Sequence, residues 1–442
     1  MKHSLTFSIY TLGCKLNFSE SSSIAGVFED RGYARVDFKD GADIVLINAC
    51  SVTEQADKKC RQIVSQAKNL SPDAFIAIIG CYAQLQTEEI GRIQGVDLVV
   101  GASDKFKIAD HVAHKMEQKE APSLIPAAIK NVKTFSPAYS MGDRSRTFLK
   151  IQDGCDYFCS FCTIPLARGR SRSNSIVETM EQVHEIAQKE IREIVLTGVN
   201  TGDFGRLNGE SFLELIQEMD QAKGIDRFRI SSIEPNLLSD EIIEFVAQSK
   251  KFVPHFHIPL QSGSDEVLKA MRRRYRSALY KERVEKIKRL MPDACIGVDV
   301  ICGYPNETDE RYEETYRFLA DLDVSYLHVF TYSERPNTPA ARRNDHISKN
   351  VRRLRSKQLQ LLSDKKKRHF YESQLQKKLT VLFENQEQNG EMFGYTENYI
   401  RVKSTYNPQW VNQLKHIVPL SINTDGTVFA EILVDEYAPL EA

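Results

Sequence analysis

The sequence predicts a multidomain α/β protein. An open parallel α/β sheet is expected over residues 1–117, a linker over 118–146, a partial β/α barrel over 147–376 and a small antiparallel β-barrel over 377–442. Three observations carry this reading. Strand and helix patterns alternate through the first segment. Six further β-rich runs, most of them separated by helical stretches, follow from Phe148. The closing segment consists of short β-rich runs divided by turn residues.

Taken in order, TFSIYTLG is an apolar β-rich run, and SESSSIAGVFEDRG after it is helical in character. ADIVLINA reads as a buried strand, EQADKKCRQIVSQAKNL as an amphipathic surface helix, Ala74 to Gly80 as the next strand and VDLVVG as another. A βαβα rhythm of this kind implies a parallel sheet covered by helices. Residues 118–146 hold three prolines and no sustained period, as a linker does. FLKIQDG, REIVLTGV, RFRISSIEP, FHIPLQ, CIGVDVICGYP and SYLHVFTYS are the six barrel strands. A long charged helix is expected from 341 to about 376, and LTVLFE, GEMFGYTENYIRVKS, HIVPLSI and TVFAEILV are the short strands of the last barrel.

Composition narrows the function classes. The chain is 41% hydrophobic and 27% charged, with a net charge of −1, so nucleic-acid contact requires local basic patches rather than a polycationic surface. The opening residues lack the h-region and cleavage pattern of a signal peptide, and no apolar run is long enough to span a bilayer. A cytoplasmic protein is expected, with no membrane partner. Its nine cysteines, odd in number and in a reducing compartment, point to metal or redox chemistry rather than disulfides.

Six of these cysteines fall in two sets. Cys155, Cys159 and Cys162 form CxxxCxxC on one loop after a strand, flanked by Gly154 and Pro165. Three thiolates so spaced hold three irons of a [4Fe–4S] cube and leave the fourth open. Zinc is the rival, but no partner pair of cysteines lies nearby. Cys14, Cys50 and Cys81 are far apart in sequence, yet each follows a predicted parallel strand, and the carboxyl ends of such strands share one edge. Position alone leaves convergence and three small buried residues equally open. Cys60 lies within a helix, and Cys295 and Cys302 lie in or beside a barrel strand; all three read as packing residues.

The loop Gly154–Cys162, with Tyr157 and Phe161 as aromatic neighbours, resembles the radical S-adenosylmethionine (radical-SAM) signature. Together with TLGCKLN, NACSVTE and GCYAQ, and the terminal β-barrel, it makes nearly the whole chain similar to the methylthiotransferases. The resemblance implies an N-terminal cluster domain, a radical-SAM barrel and a C-terminal TRAM domain. It implies two [4Fe–4S] clusters, on Cys14, Cys50 and Cys81 (auxiliary) and on Cys155, Cys159 and Cys162 (radical-SAM). S-adenosylmethionine then serves both as radical source and as methyl donor. No catalytic residue beyond the cluster and cofactor ligands is expected.

Several motifs fall at barrel strand ends, where such enzymes place chemistry. Gly198 and Asn200 lie in LTGVN, Ser232 and Glu234 in SSIEP, Gln261 in IPLQSGS and Asp299 in GVDVICGYP. Each alone is ordinary turn chemistry; in family order they are candidate S-adenosylmethionine contacts, with Gly198 permitting close backbone approach. Arg168, Arg170 and Arg172 follow the cysteine loop and suit a carboxylate or phosphate, or a solvated basic loop.

For RNA, residues 341–370 hold eleven Lys or Arg against two Asp, which fits either a phosphate-tracking face or a solvated helix. Candidate contacts there are Arg352, Arg353, Lys365, Lys366 and Lys367, with Arg272, Arg273, Arg274 and Tyr275 as a second patch. Tyr395, Tyr399 and Arg401 are candidates in the TRAM-like barrel.

Within the family, TLGCKLN, LTGVNTGDFG, ARGRSRS and HFHIPLQSGSDEVLKAMRRRY are most similar to the MtaB type, which makes the 2-methylthio derivative of N6-threonylcarbamoyladenosine at position 37 of tRNA. That implies the tRNA anticodon loop as partner, an electron donor such as flavodoxin or ferredoxin, and a monomer. The alternatives are isopentenyladenosine in tRNA or a ribosomal-protein aspartate as substrate, or a non-catalytic zinc- and RNA-binding protein. Anaerobic reconstitution is expected to give about eight irons and eight sulfides per chain; zinc without sulfide would support the non-catalytic reading.

Overall fold

In the computed structural model, residues 4–50, 54–118, 123–126, 128–129, 132–141 and 145–433 are described. The first sheet has six parallel strands, ordered Ala34–Arg35, Thr6–Thr11, Ile44–Ala49, Phe75–Gly80, Leu98–Val100 and Ser123–Ile125. Its central strand IVLINA is buried at every residue, as a strand covered on both faces must be. Cys60, Ile63, Val64 and Ala67 of helix Glu54–Leu70 cover one face. Ile24, Ala25 and Phe28 of helix Lys15–Asp30 cover the other, together with Ile108, Ala109 and Val112 of helix Ile108–Gln118. The expected linker contributes structure of its own. Ser123–Ile125 is an edge strand of this sheet, and Ala138–Tyr139 pairs antiparallel with the first barrel strand. Strands of two or three residues are too short to carry a readable alternation.

All six expected barrel strands form: Arg146–Lys150, Glu193–Thr197, Arg227–Ile230, His255–Gln261, Cys295–Cys302 and Tyr326–Thr331. They are parallel, and the third and fourth meet only through the bridges Phe228–Phe252 and Ser232–His257. Helices cover the outer face over one continuous apolar core. Their starts follow sequence rules: Ser175 with Glu178 and Ser211 with Glu214 form capping boxes, and Ser239, Thr308 and Ser348 cap three more helices. The charged helix runs from Lys349 to Ser373, shorter than expected, because its start waits for the Ser348 cap.

The last barrel is closed. Leu379–Gln388, Glu391–Thr396 and Arg401–Thr405 run antiparallel in turn, and Leu414–Ile422 lies antiparallel between Val428–Ile432 and Leu379–Gln388. The seam Arg401–Thr405 with Val428–Ile432 is parallel, which corrects the purely antiparallel expectation. The strand Leu414–Ile422 intervenes in the chain, so this pair is not a hairpin and is free to run parallel.

This barrel docks on the amino ends of the large barrel's strands. Arg229, wholly buried, holds Glu193 at 2.8 and 3.2 Å and donates to the carbonyls of Glu397 (2.9 Å) and Thr396 (3.1 Å). Arg227 donates to Thr380 O at 2.6 Å, and Arg146 pairs with Glu384 at 2.9 Å. The Tyr399 ring lies 4.3 Å from that of His255, and Arg146 sits over Tyr395 at 4.4 Å. No helix among the described residues is long and apolar enough to cross a membrane.

Removing one partner of a buried ion pair strands the other without solvent. Arg229→Met is therefore expected to cost about 3–5 kcal/mol, read as a lower urea midpoint. A midpoint unchanged from the parent would show that Glu193 is satisfied without Arg229.

Candidate functional site

The loop carrying Cys155, Cys159 and Cys162 leaves the large barrel's first strand through Gln152–Asp153, which pairs antiparallel with Arg172–Ser173. Gly154 has φ +73°, and a Cβ there would lie 2.0 Å from Arg170 O, so only glycine fits. The loop is tied by Cys155 N–H to Gly169 O (3.0 Å) and Cys162 N–H to Cys159 O (3.0 Å). Each sulfur receives one donor: Tyr157 N–H to Cys155 Sγ at 3.4 Å, Ile164 N–H to Cys162 Sγ at 3.4 Å, and Arg273 Nη1 to Cys159 Sγ at 3.1 Å. Burial pushes the Cys155 and Cys162 thiols up to about 12. The thiolate form therefore needs a positive partner, which metal binding supplies.

These cysteines open on a cavity of 280 Å³ that also reaches Asn200, Ser232, Glu234, Gln261 and Asp299. Five of the six expected cofactor contacts thus meet there. Gly198 does something else. A Cβ at Gly198 would lie 3.0 Å from Gln152 Oε1, so the glycine makes room for Gln152. Gln152 Oε1 accepts from Val199 N–H and Asn200 N–H, both at 2.9 Å, while its Nε2 donates to Gly154 O (2.8 Å) and Ser171 Oγ (2.9 Å). One buried amide therefore sets both the cysteine loop and the Asn200 loop, and sequence reasoning missed it because a single Gln makes no motif. Asn200 Nδ2 and Gln261 Oε1 are buried without partners among the described residues. Unpaired polar atoms on a cavity wall fit a ligand rich in donors and acceptors, as S-adenosylmethionine is.

Cys14, Cys50 and Cys81 come together at the carboxyl edge of the first sheet. Cys14 is the N-cap of helix Lys15–Asp30 and is exposed. A Cβ at Gly13 would meet Cys50 Cβ at 2.8 Å and Cys50 Sγ at 3.4 Å. Cys81 is buried at the start of the short helix Cys81–Leu85, and Cys14 acts on it electrostatically. Cys14 and Cys50 line a cavity of 1030 Å³ whose far wall holds Ser232, His257, Asp299, His328 and Phe330. Ser232, Asp299 and Phe330 line both cavities, so Cys14 and Cys50 face a space adjoining that of Cys155, Cys159 and Cys162. Asp299 accepts from His257 Nε2 at 2.7 Å; burial raises its carboxyl, but the neighbouring His257 and His328 more than offset this and hold it below the usual range.

Other expected roles change. Arg273 is not an RNA contact: it is buried against Cys159 and ion-paired with Glu234. Arg274 lies over the Tyr157 ring at 4.0 Å and donates to Asp156 O at 2.7 Å, so the basic patch wraps the cysteine loop. Arg352 is buried, pairs with Glu334 at 2.5 Å and donates to the carbonyls of Ile347 and Tyr332, which removes it from any RNA face. Lys366 donates to Ala320 O (3.0 Å) and Leu322 O (2.7 Å), closing the end of helix Asp309–Asp321. Tyr395 and Tyr399 are engaged between the two barrels, and Arg401 lies over Phe393 at 4.6 Å. Arg353, Lys365 and Lys367 remain exposed. Cys60, Cys295 and Cys302 are buried packing residues, their thiols pushed up by burial to about 12, 12 and 11.

The model of the radical SAM superfamily matches residues 149–319, and that of uncharacterized protein family UPF0004 matches residues 6–101. The threonylcarbamoyladenosine tRNA methylthiotransferase MtaB of Bacillus subtilis is 40% identical over 407 residues, covering 90% of each chain. The chain belongs to the radical-SAM methylthiotransferases. The MtaB of Aquifex aeolicus is 36% identical over 89% of this chain and 95% of its own. A tRNA-2-methylthio-N(6)-dimethylallyladenosine synthase of Syntrophotalea carbinolica is 32% identical over 94% and 97%. The radical S-adenosylmethionine methyltransferase TsrM of Kitasatospora setae, with tryptophan and a SAM analogue bound, superposes with a TM-score of 0.60 at 13% identity over 76% of this chain and 75% of its own, a likeness of fold. Membership in this methylthiotransferase family implies S-adenosylmethionine and [4Fe–4S] clusters as cofactors.

Gly154→Ala drives a methyl group into Arg170 O and displaces the cysteine loop. The reconstituted variant is expected to hold about four irons where the parent holds about eight. Full iron content would show that the loop tolerates the displacement.

Proposed function

We propose that the chain converts N6-threonylcarbamoyladenosine at position 37 of tRNA to its 2-methylthio derivative. The observation that carries this is the 40% identity, over 90% of both chains, to a threonylcarbamoyladenosine tRNA methylthiotransferase. Cysteines of both sets on adjoining cavities support it. In this reading Cys155, Cys159 and Cys162 hold the radical-SAM cluster, and Cys14, Cys50 and Cys81 hold the auxiliary one. When bound, the clusters and S-adenosylmethionine supply the radical and the methylthio group.

The chain's own residues position and shield. Asn200, Ser232, Glu234, Gln261 and Asp299 offer polar contacts to the cofactor, and Gly198 serves through Gln152. Ile301, Phe330 and Tyr332 give the same cavity an apolar wall that excludes water. Arg353, Lys365 and Lys367 are among the exposed cations of helix Lys349–Ser373 available to the phosphates of the anticodon stem and loop. A flavodoxin- or ferredoxin-class electron donor, a monomeric state and a cytoplasmic location complete the proposal. The domain limits proposed are 1–117, 147–376 and 377–442, with 118–146 as a connector that adds two short strands.

Expression in a bacterium lacking this activity, followed by nucleoside analysis of its tRNA, tests the reading. The expected outcome is appearance of 2-methylthio-N6-threonylcarbamoyladenosine. A 2-methylthio group on isopentenyladenosine instead would move the chain to the other tRNA subgroup.

A further inference from the structure

Between the two cysteine sets lies a buried ion network. Glu20 accepts from Lys105 at 2.6 Å, Lys150 at 2.9 Å and Arg168 at 2.9 Å. Asp153 accepts from Lys150 at 2.8 Å, Arg168 at 3.0 Å and Arg172 at 3.0 Å. No member's side chain is more than 8% exposed. Four cations therefore face two carboxylates, and the described residues supply no further acid to this network. Arg172 also donates to the carbonyls of Thr134, Arg168 and Arg170, but carbonyl dipoles do not cancel a full charge.

A net positive charge in a low-dielectric interior is costly unless an anion lies nearby. The position of Arg168 shows where that anion belongs. It ends helix Ile164–Arg168, which starts just after Cys162 and packs on the helix that Cys81 opens. Its Nη2 donates to Asn17 Oδ1 at 2.6 Å, three residues from Cys14. Lys105 shares Glu20 Oε1 with Arg168, so its charge belongs to the same group of cations beside Asn17 and the Cys81 helix. A [4Fe–4S] cube held by three thiolates is a net anion.

We propose that the excess positive charge on Arg168 and Lys105 is the built-in counter-charge of the auxiliary cluster, and that it raises that cluster's reduction potential. This rests on the reading that Cys14, Cys50 and Cys81 hold a cluster. The two residues are positioning residues: they act through the field at the thiolates and not by contact with substrate. The charge of a cluster's surroundings is one of the levers on its potential.

The test uses the full-length chain carrying C155A, C159A and C162A, reconstituted so that only the auxiliary site can load, with its potential followed by EPR-monitored titration. Lys105→Met removes a cation and is expected to shift the potential negative. Glu20→Gln removes an anion and is expected to shift it positive. Lys105→Arg, which keeps the charge, is expected to match the parent. A tenfold change in the reduced-to-oxidised ratio at fixed solution potential corresponds to about 59 mV for one electron, and a shift of that order is expected for Lys105→Met. Opposite signs support the proposal, since simple structural damage has no reason to follow charge. A parent with about four irons whose K105M and E20Q variants titrate together, or shift the same way, overturns the proposal alone. A parent that binds no iron overturns the two-cluster reading and the proposal with it.

Discussion

Glu20 is the constraint on which the arrangement depends. It lies on the first helix of the first sheet, wholly buried, and receives cations from Lys105 of its own domain and from Lys150 and Arg168 of the large barrel. Attraction to Arg168, Lys105 and Lys150 outweighs a large desolvation penalty and holds the carboxyl ionised. Such a contact tolerates little displacement, because each partner pulled away leaves an unpaired charge without solvent. The two cysteine edges are thus held in register by electrostatics rather than by an extended apolar interface.

That register serves a rule of parallel sheets. Ligands collect at the carboxyl ends of the strands, and both parallel assemblies in this chain obey it. Cys14, Cys50 and Cys81 follow three strands of the first sheet, and Asn200, Ser232 and Gln261 follow or end strands of the barrel, while Asp299 lies inside the strand Cys295–Cys302. With the two edges facing one another, Ser232, Asp299 and Phe330 come to line both cavities.

Much of this was legible in sequence because it follows periodicity. Apolar runs marked the six barrel strands, and a cysteine directly after a strand marked a sheet edge. What could not be read was the partner of each charge. Arg168, Arg273 and Arg352 look alike in sequence to Arg353 and Lys365, yet the first three are buried against carboxylates or thiols and the others face solvent. Charge density along a chain does not say which guanidinium finds a buried acceptor. Gln152 was invisible for a related reason: its importance lies in hydrogen bonds to Ser171, Val199 and Asn200, 19 to 48 residues away, and nothing local signals them. The parallel seam of the small barrel escaped because alternation is the same for parallel and antiparallel neighbours.

The small barrel shows how the opposite end of the large barrel is closed. The amino ends of its strands present Arg146, Glu193, Arg227 and Arg229, polar groups that water would otherwise fill in around. The small barrel covers them with the carbonyls of Thr380, Thr396 and Glu397 and with the rings of Tyr395 and Tyr399. Tyr395 and Tyr399 are therefore committed to sealing. The carboxyl end stays open: the cavity that Cys14 and Cys50 line is bordered by Phe330 and by Gln55, Lys58 and Gln62 of helix Glu54–Leu70.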